Sequence, residues 1–380
     1  MVRYGSIGSR VPRIVAAALV TLLPACASSG QTVASPKPAD YTAIREQVQA
    51  VIDKTLARPE AVGLSVAVAR GGIVIVEQGA GIADLEHGVP ADVNTLFRIG
   101  SLTKMFTAAA VLRLAERGKL SPEDDIRTRL PGAPTQGRAV TIRQMLTHTS
   151  GIPNIISQPE FKRSVAREMA ADELVAIVRG APFEFEPGAR WKYSNTNYLL
   201  FGPMIEAVDG RPYAQFLQQE FFGPLGLAHT RYESDREIIK HRAQGYDFDP
   251  RAGLLNDALI AMSNAGAGGG LLSTAGDLLR WSMALTSGRA VQPATYREMV
   301  DSAVPTGIPG MSYGFGLAVF NQNGRTRLSH FGAINGFTAV LSWYPEEDLH
   351  IAVISNSTAV ASDPLEIAIA AAILKADAPR

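Results

Sequence analysis

Strand-like runs lie near both ends of this chain, and helical patterns dominate between them. Early in the chain, "AVGLSVAVARGGIVIVEQGAG" contains two β-branched runs joined by Arg70-Gly71-Gly72, a hairpin signal. Late in the chain come "YGFGLAVF", "GFTAVLSWY" and "LHIAVISN", followed by the helical "PLEIAIAAAIL". Because strands must pair, this pattern predicts an α+β fold. In it, one antiparallel sheet is built from both chain ends, flanked by helices, with an inserted and mostly helical region.

The predicted domain covers residues 40–375, with an α/β part at about 40–100 and 300–375 and a helical part at about 101–299. A cleft between the two parts is the expected place for a site. The 380 residues are 46% hydrophobic, and 36 basic residues balance 36 acidic ones, so the formal net charge is zero. Nucleic-acid binders show a basic excess, so we expect no nucleic-acid partner.

Residues 1–25 have the pattern of an export signal, in which three arginines precede a mostly apolar stretch at 14–23. That stretch is too short to span a bilayer, which takes about 20 residues. The only cysteine, Cys26, follows "LPA" and resembles the lipidated cysteine of a bacterial lipobox. Alternatively, Ala25-Cys26-Ala27 is an Ala-x-Ala site, cut after Ala27 to give a soluble product. Either reading predicts export; we expect a periplasmic, lipid-anchored protein with a flexible linker at 26–39.

The stretch "RIGSLTKMFTAAAVLRLAERGKL", which begins at Arg98, predicts an amphipathic helix that ends before Gly118. Ser101 lies in its first turn and Lys104 three residues later, so their side chains can touch. A serine hydroxyl becomes a good nucleophile when a base takes its proton, and a lysine whose pKa is lowered by burial can be that base. A helix N-terminus also offers unpaired N–H groups to an oxyanion. The alternative is an ordinary serine cap with a solvated lysine.

Two further motifs follow in order. Tyr193-Ser194-Asn195 is a Y-x-N within "GARWKYSNTNYLLFG", and His330-Phe331-Gly332 is an H-x-G within "LSHFGAINGF". The ordered set S-x-x-K, Y-x-N and H-x-G, the last in place of K-T-G, resembles the penicillin-recognising serine hydrolases. Within them it is most similar to the class C β-lactamase-like group of D,D-peptidases, D-aminopeptidases and esterases. The stretches "TIRQMLTHTSGIP" and "GGGLLSTAGDLLRW" share the resemblance, which covers roughly residues 40–375.

The resemblance implies a β-lactamase/transpeptidase-like fold and three catalytic roles. Ser101 would be the acylated nucleophile, and Lys104 the partner that keeps its proton mobile. Tyr193 would be the general base for acylation and, through water, for deacylation. A tyrosine with an ordinary pKa near 10 is a poor base at neutral pH. The field of Lys104 must therefore either favour the phenolate of Tyr193 or let the tyrosine relay a proton.

The resemblance also implies four substrate-binding residues. Asn195 should bind Lys104 and the substrate's amide, and His330 should fill the position of the K-T-G lysine. The backbone N–H groups of Ser101 and Ala333 would form the oxyanion hole, and Gly332 would let the substrate backbone approach the strand. Because a histidine is mostly neutral at pH 7, we expect weak recognition of a carboxylate. This favours an esterase or a peptidase of less charged substrates over an efficient β-lactamase.

Other motifs carry less weight. The G-x-S-x-G around Ser312 lacks the preceding strand and following helix of a nucleophile elbow. By the resemblance, His148 in "THTSG" shapes a loop, and no H-x-x-x-H pair supports a metal site, so we expect neither metal nor cofactor. The sequence predicts an exported serine hydrolase that acts on an amide or ester of a small molecule or peptide. The alternative is a catalytically silent cell-wall binding protein of the penicillin-binding type.

Overall fold

The structure is a computed structural model that describes residues 41–322 and 324–376. The predicted signal at 1–25, the linker at 26–39 and lipidation at Cys26 therefore concern residues outside the described part. Within that part, no helix combines the length and the apolar character needed to cross a membrane.

The strands are β1 (Gly63–Arg70), β2 (Ile73–Asp84), β3 (Val89–Pro90), β4 (Phe97–Arg98), β5 (Arg231–Tyr232), β6 (Tyr246–Asp249), β7 (Gly253–Asn256), β8 (Leu271–Ser273), β9 (Val304–Pro305), β10 (Met311–Tyr313), β11 (Ala318–Gln322), β12 (Arg325–Ile334), β13 (Phe337–Tyr344) and β14 (Leu349–Ser355). The α-helices are α1 (Thr42–Leu56), α2 (Thr103–Glu116), α3 (Ile142–Leu146), α4 (Pro159–Ser164), α5 (Ala171–Arg179), α6 (Asn195–Asp209), α7 (Tyr213–Leu217), α8 (Gly223–Leu225), α9 (Gly266–Gly269), α10 (Ala275–Thr286), α11 (Pro293–Asp301) and α12 (Ser362–Ala376). A π-helical turn, Gln218–Phe222, joins α7 to α8. Short 3-10 helices cover Gly100–Leu102, Ile126–Thr128, Ile155–Ser157, Met262–Asn264 and Pro345–Glu347.

The main sheet combines both ends of the described chain, as the sequence predicts. Its order within the described residues is β3-β2-β1-β14-β13-β12-β11-β10-β9, and every pairing is antiparallel. The two chain ends meet in the middle of the sheet, where Val66 of β1 is opposite Val353 of β14. Between β4 and β9 helices are the commonest element, and the strands there have two to four residues each. The predicted α+β architecture is confirmed.

Helices cover both faces of this sheet because its strands alternate two sets of apolar side chains. Leu64, Val66 and Val68 of β1 belong to the cluster that includes α1 and α12. Ala67 and Ala69 point to the opposite face, where α10 packs. The small side chains on this second face bring α10 close enough for Ser65 Oγ to accept a hydrogen bond from its first N–H, at Ala275.

The local predictions that lead to the site also hold. Gly71 and Gly72, at φ +55° and +73°, form the tight turn between β1 and β2, a conformation that glycine adopts without strain. Helix α2 begins at Thr103 and ends at Glu116, two residues before Gly118 at φ +67°. Eleven of its side chains are buried, so α2 is the central helix of the domain rather than a surface helix.

Candidate active site

The serine and the lysine of the S-x-x-K motif lie where a short strand turns into the central helix. Strand β4 leads into the 3-10 helix Gly100–Leu102, which runs directly into α2. Ser101 is the middle residue of that 3-10 turn and is half-buried, whereas Lys104 in the next turn is fully buried, at 0% exposed. The alternative of a solvated lysine is therefore wrong.

Lys104 Nζ contacts three oxygen atoms. It lies 3.0 Å from Ser101 Oγ, 2.9 Å from Asn195 Oδ1 and 2.7 Å from the carbonyl oxygen of Gly268. Burial lowers the pKa of Lys104 to about 7. A neutral amine keeps two N–H donors and one lone pair. In this neutral form the two donors go to the amide and carbonyl oxygens, which can only accept, and the lone pair faces Ser101. In the protonated form the third N–H donates to Ser101 Oγ.

Tyr193 completes this group from the segment that precedes α6. Its hydroxyl is close enough to the Ser101 side chain for the serine to lower its pKa, and Lys104 Nζ lies 5.1 Å from the centroid of its ring. Burial raises the pKa of Tyr193, and the contact with Ser101 offsets this only in part. In the resting protein Tyr193 is thus a neutral phenol that touches the serine, and not a phenolate.

Asn195 is placed by the start of α6, of which it is the first residue. Its backbone N–H donates to Asn154 Oδ1 at 3.1 Å, which holds this helix end against the neighbouring loop. Its side-chain oxygen accepts from Lys104, which is the contact that the resemblance implies.

The last strand of the site, β12, packs against the serine turn through two glycines. A Cβ atom at Gly332 would lie 2.0 Å from the carbonyl oxygen of Ile99, and one at Gly100 would lie 2.9 Å from Ala333 N. Gly100 also has φ +48°, which a side chain disfavours. From the resemblance we expect Gly332 to let the backbone of a substrate approach the strand. In the structure the close neighbour is the protein's own chain, because β12 and the serine turn are in van der Waals contact.

The β12–β13 register leaves the N–H of Ala333 without a partner in β13, next to Gly100. The two strands are joined by the two-residue loop Asn335-Gly336, so Ile334 and Phe337 exchange the first hydrogen bonds of the hairpin. Alternation then leaves the pair Ala333 and Thr338 without mutual hydrogen bonds, and the N–H of Ala333 points to the open edge beside Gly100. The Ser101 N–H lies in the first turn of a helix, where N–H groups have no intrahelical partner. Both donors are therefore placed for an oxyanion.

His330 lies behind this edge rather than in the open site. It is 3% exposed, and its Nδ1 donates to the carbonyl oxygen of Phe331 at 2.8 Å. Its Nε2 must then accept from the hydroxyl of Tyr313, also at 2.8 Å. Burial, and next the nearby Lys104, lower the pKa of His330 to about 3. The imidazole is neutral and both ring nitrogens are occupied, so it offers no charge to a substrate.

His148, which sequence reasoning treats as a loop-shaping residue, also contacts Tyr193. It adopts φ +58° and is fully buried, with its ring centroid 4.3 Å from that of the tyrosine. Its Nδ1 accepts from the backbone N–H of Ser194 at 3.3 Å. Burial, followed by the charges of Lys104 and His330, lowers its pKa well below the ordinary value. The neutral ring thus holds the backbone next to Tyr193.

Sequence reasoning missed two residues of this arrangement. The carbonyl of Gly268 accepts from Lys104, and Tyr313 binds His330. The glycine-rich "NAGAGGG" signals a loop whose backbone other groups can approach, but it does not say which groups. The motif that contains Tyr313 is the G-x-S-x-G. Its Ser312 lies within strand β10, paired with Val319 of β11, and not in a turn between a strand and a helix.

A cavity of about 300 Å³, here called the catalytic cavity, opens in front of Ser101. Ser101, Asn195 and Ala333 line one side. Most of the other lining residues are apolar, among them Ile155, Phe161, Val165, Leu199 and Ile334, and Asn264 and Asn335 add two uncharged polar side chains. Among the described residues that line it there is no Asp, Glu, Lys, Arg or His. The space therefore suits an uncharged, largely apolar group next to the serine.

Comparison with known proteins gives a family and several relatives. Residues 48–375 match the family model described as Beta-lactamase. The chain is 30% identical over 327 residues to Penicillin-binding protein 4* of Bacillus subtilis (strain 168), covering 82% of this chain and 72% of that protein. It is 25% identical to protein flp of Staphylococcus aureus (strain MRSA252), and there the match spans 63% of the relative's length.

Solved structures agree with this fold. The D-amino acid amidase from Ochrobactrum anthropi SV3, complexed with L-phenylalanine amide, superimposes with a TM-score of 0.77 and 26% identity, over 88% of this chain and 99% of that one. EstCE1, described as a hydrolase with promiscuous acyltransferase activity, superimposes with a TM-score of 0.73 and 25% identity, over 87% and 98%. With a family model that spans most of the chain and a relative that is 30% identical, this chain belongs to the beta-lactamase family.

Proposed function

We propose that this protein is a serine hydrolase that cleaves an uncharged ester or amide through an acyl-enzyme on Ser101. The observation that carries the proposal is the fully buried Lys104, whose Nζ lies 3.0 Å from Ser101 Oγ. Burial lowers the pKa of this lysine to about 7, so a large fraction is neutral at physiological pH. Because burial disfavours the charged ammonium, this lysine can act as a base next to the hydroxyl.

Acylation follows from these contacts. Neutral Lys104 takes the proton of Ser101 while Oγ attacks the carbonyl carbon of the substrate, and the carbonyl oxygen becomes an oxyanion. The N–H groups of Ser101 and Ala333 bind that oxyanion. The tetrahedral species then collapses: the bond to the alcohol or amine breaks, and the leaving group receives the proton that Lys104 took. The product of this half-reaction is an ester on Ser101.

We assign Tyr193 the role of a proton relay. Its hydroxyl is near the Ser101 side chain, and burial raises its pKa, which disfavours the phenolate. A neutral phenol can accept one proton while it donates another, so it can pass a proton between Lys104 and the leaving group. In deacylation the same relay takes a proton from water while the water oxygen attacks the ester carbon. The bond from that carbon to Ser101 Oγ then breaks, the carboxylic acid leaves, and the relay returns the proton to Oγ.

The cavity walls support a substrate with an apolar acyl or side-chain group. The lining is mostly aliphatic, and His330 is neutral and buried, so the described residues that line the cavity offer no cationic side chain to a carboxylate. Esters and amides of apolar acids fit this description better than β-lactams, which carry a carboxylate. The similarity to a D-amino acid amidase solved with L-phenylalanine amide adds aromatic amino-acid amides of either hand as substrates to try.

The experiment that tests the proposal measures acyl-enzyme directly. The purified protein is mixed with p-nitrophenyl acetate, and we expect a burst of nitrophenol equal to the enzyme concentration, which Ser101→Ala abolishes. Ser312→Ala, in the G-x-S-x-G motif of strand β10, is the matched control and should keep the full burst. Mass spectrometry after a fluorophosphonate should place the adduct on Ser101. An unlabelled Ser101, or a burst that survives Ser101→Ala, contradicts the proposal and favours the silent binding protein.

We also propose that the chain is exported and anchored by a lipid on Cys26. The support is the basic and apolar pattern of residues 1–25 and the position of the sole cysteine after "LPA". Expression of the full chain in a bacterial host, followed by fractionation, should place it in the membrane fraction. Cys26→Ser should move it to the periplasm. A wild-type protein that is soluble in the periplasm contradicts the anchor and supports cleavage after Ala27.

A further inference from the structure

A second cavity, of about 340 Å³, lies next to the catalytic cavity and is larger than it. We call it the rear cavity. Helices α5, α6 and α7 supply most of its walls, and the interior is apolar, with Leu174, Val175 and Leu200 among the lining residues. A concave apolar space of this size takes a ligand of about ten non-hydrogen atoms. The reaction proposed above does not use it.

One thin segment, residues 265–269, separates the two cavities, and we call it the wall. Ala265, Gly268 and Gly269 line the catalytic cavity, whereas Gly266 and Ala267 line the rear cavity. Three of the five residues are glycines, so the wall has few side chains that could anchor it. An occupant of the rear cavity would touch the backbone on the far side of the wall from Ser101.

Two hydrogen bonds from α2 hold the wall. Lys104 Nζ donates to the carbonyl oxygen of Gly268 at 2.7 Å, and Thr107 Oγ1 donates to that of Ala267 at 2.6 Å. The Thr107 oxygen in turn lies 2.6 Å from the hydroxyl of Tyr213, which lines the rear cavity. The adjacent carbonyls of Gly268 and Ala267 accept from Lys104 and from Thr107, and Thr107 contacts Tyr213 of the rear cavity. A shift of the wall therefore changes the surroundings of Lys104.

The rear cavity has an acidic and aromatic side. The exposed carboxylate of Glu206 lines it and accepts a hydrogen bond from the Tyr213 N–H at 2.8 Å. The ring of Tyr232 lines it too, and its pKa is raised to about 12, first by burial and then by the carboxylates of Glu206 and Asp235. Within the described part of the chain, no Lys, Arg or His lines this cavity. Glu206 is thus the only charged side chain among the described lining residues, and its carboxylate, together with the Tyr232 ring, favours a cation.

We propose that the rear cavity binds an apolar organic ammonium ion. Its hydrocarbon part would lie among the aliphatic side chains and its ammonium group beside Glu206 and the Tyr232 ring. Occupancy braces the wall in its observed position, keeps Gly268 in contact with Lys104 and raises the rate of hydrolysis. The binding of the cation does not depend on the proposed function. Only its effect on the rate of hydrolysis rests on that function.

Calorimetry with 2-phenylethylammonium chloride at pH 7 tests the binding. We expect this cation to bind more tightly than neutral 2-phenylethanol, and the phenylacetate anion to bind most weakly. Ala214→Trp fills the rear cavity and should abolish binding. Glu206→Gln keeps an oxygen that can accept from the Tyr213 N–H. It should lower the affinity for the cation about two- to fivefold, the range of an exposed ion pair, and leave the affinity for the alcohol unchanged. The absence of binding, or a cation affinity unchanged by both variants, overturns the site.

Kinetics with p-nitrophenyl acetate test the coupling to Lys104. Saturating 2-phenylethylammonium should raise kcat/KM at least about fivefold, the lower end of typical coupling between two sites. Ile156→Trp, which narrows the catalytic cavity, is the matched control and should leave cation binding intact. Competitive inhibition that persists in Ala214→Trp would place the amine in the catalytic cavity and overturn the proposal. If the cation binds and the rate is unchanged, the proposed effect of the rear cavity on hydrolysis is wrong. If Ser101 proves unreactive, calorimetry still tests whether the rear cavity binds the cation.

Discussion

Ser101 and Ser282 each contact a side chain that can act as a base, and they differ in what surrounds them. Ser101 Oγ lies 3.0 Å from the amine of Lys104. Ser282 Oγ lies 2.8 Å from Nδ1 of His350, and the other nitrogen of that ring is 3.4 Å from a carboxylate oxygen of Asp348. Hydroxyl, imidazole and carboxylate in series have the composition of a serine-hydrolase triad. By side-chain chemistry alone, the second group would be the better candidate.

Space and free backbone donors separate the two groups. The cavity before Ser101 measures about 300 Å³, whereas the void beside Ser282 measures about 10 Å³, too small for any substrate. Ser282 lies in the middle of α10, where its N–H is used within the helix, whereas Ser101 lies in a first helical turn. Trp343 stacks on His350 and closes the remaining side. A serine–base contact is thus a candidate site only where a carbonyl group can enter and its oxyanion can be bound.

The largest expected effect on activity comes from replacing Lys104, the base beside Ser101, and it is compared with replacing His350, the base beside Ser282. Lys104→Met should lower kcat/KM for p-nitrophenyl acetate about 10³- to 10⁴-fold, because Tyr193, which remains beside Ser101, is a neutral phenol whose raised pKa makes it a poor base. His350→Gln is the matched variant of the buried group and should leave kcat/KM unchanged. Steady-state kinetics of the two folded proteins decide this. A larger loss in His350→Gln would reverse the comparison.

The next effect concerns the relay. Tyr193→Phe removes the hydroxyl that contacts Ser101 and keeps the ring, so kcat should fall about 10²-fold while the fold is retained. Tyr296→Phe, whose tyrosine packs against Trp343 on the side of Ser282, is the control and should keep full activity. Equal rates for wild type and Tyr193→Phe would show that Lys104 acts without a relay.

A pH profile should separate the two bases. The pKa of Lys104 is lowered to about 7 by burial, and its neutral form is the active one. We therefore expect kcat/KM to rise with pH and to level off above pH 7, with a tenfold loss per pH unit below it. The pKa of His350 is lowered to about 4, so its protonation should leave no inflection between pH 5 and 9. A profile that is flat between pH 5 and 8 contradicts the role of Lys104.

The smallest effect is on stability. Ser282→Ala removes the partner of a buried imidazole nitrogen and should lower the free energy of unfolding by about 1–3 kcal/mol, with kcat/KM unchanged. Ser287→Ala, at the exposed end of the same helix, should change it by less than about 0.5 kcal/mol. Urea unfolding of both variants gives the comparison. A loss of activity in Ser282→Ala without a loss of stability would assign this buried group a function.

Local patterns predicted the elements that carry the site. The spacing of apolar residues after Leu102 gives α2, since a helix places every third or fourth side chain on one face. The glycine pair at 71 and 72 gives the turn between β1 and β2 because both positions need positive φ. The fold followed from strand-like runs at both chain ends. These inferences succeed because each depends on residues that are near one another in sequence.

The sequence could not show contacts between distant segments. Gly332 serves the approach of Ile99, and His330 is bound by Tyr313 from a different strand. The carbonyl of Gly268 reaches Lys104 across 164 positions of the chain. No periodicity or motif encodes such pairs, because they are set by how the sheet and the helical region pack.

The sequence by itself determined which groups are present: a serine and a lysine one helical turn apart, a tyrosine, and strands that must pair across the whole chain. Tertiary structure decided their chemistry. Burial of Lys104, not its position in the motif, lowers its pKa to about 7, and the packing of β12 against the serine turn creates the pair of N–H donors. The physical reason is that desolvation and oxyanion binding depend on surroundings assembled from residues far apart in the chain.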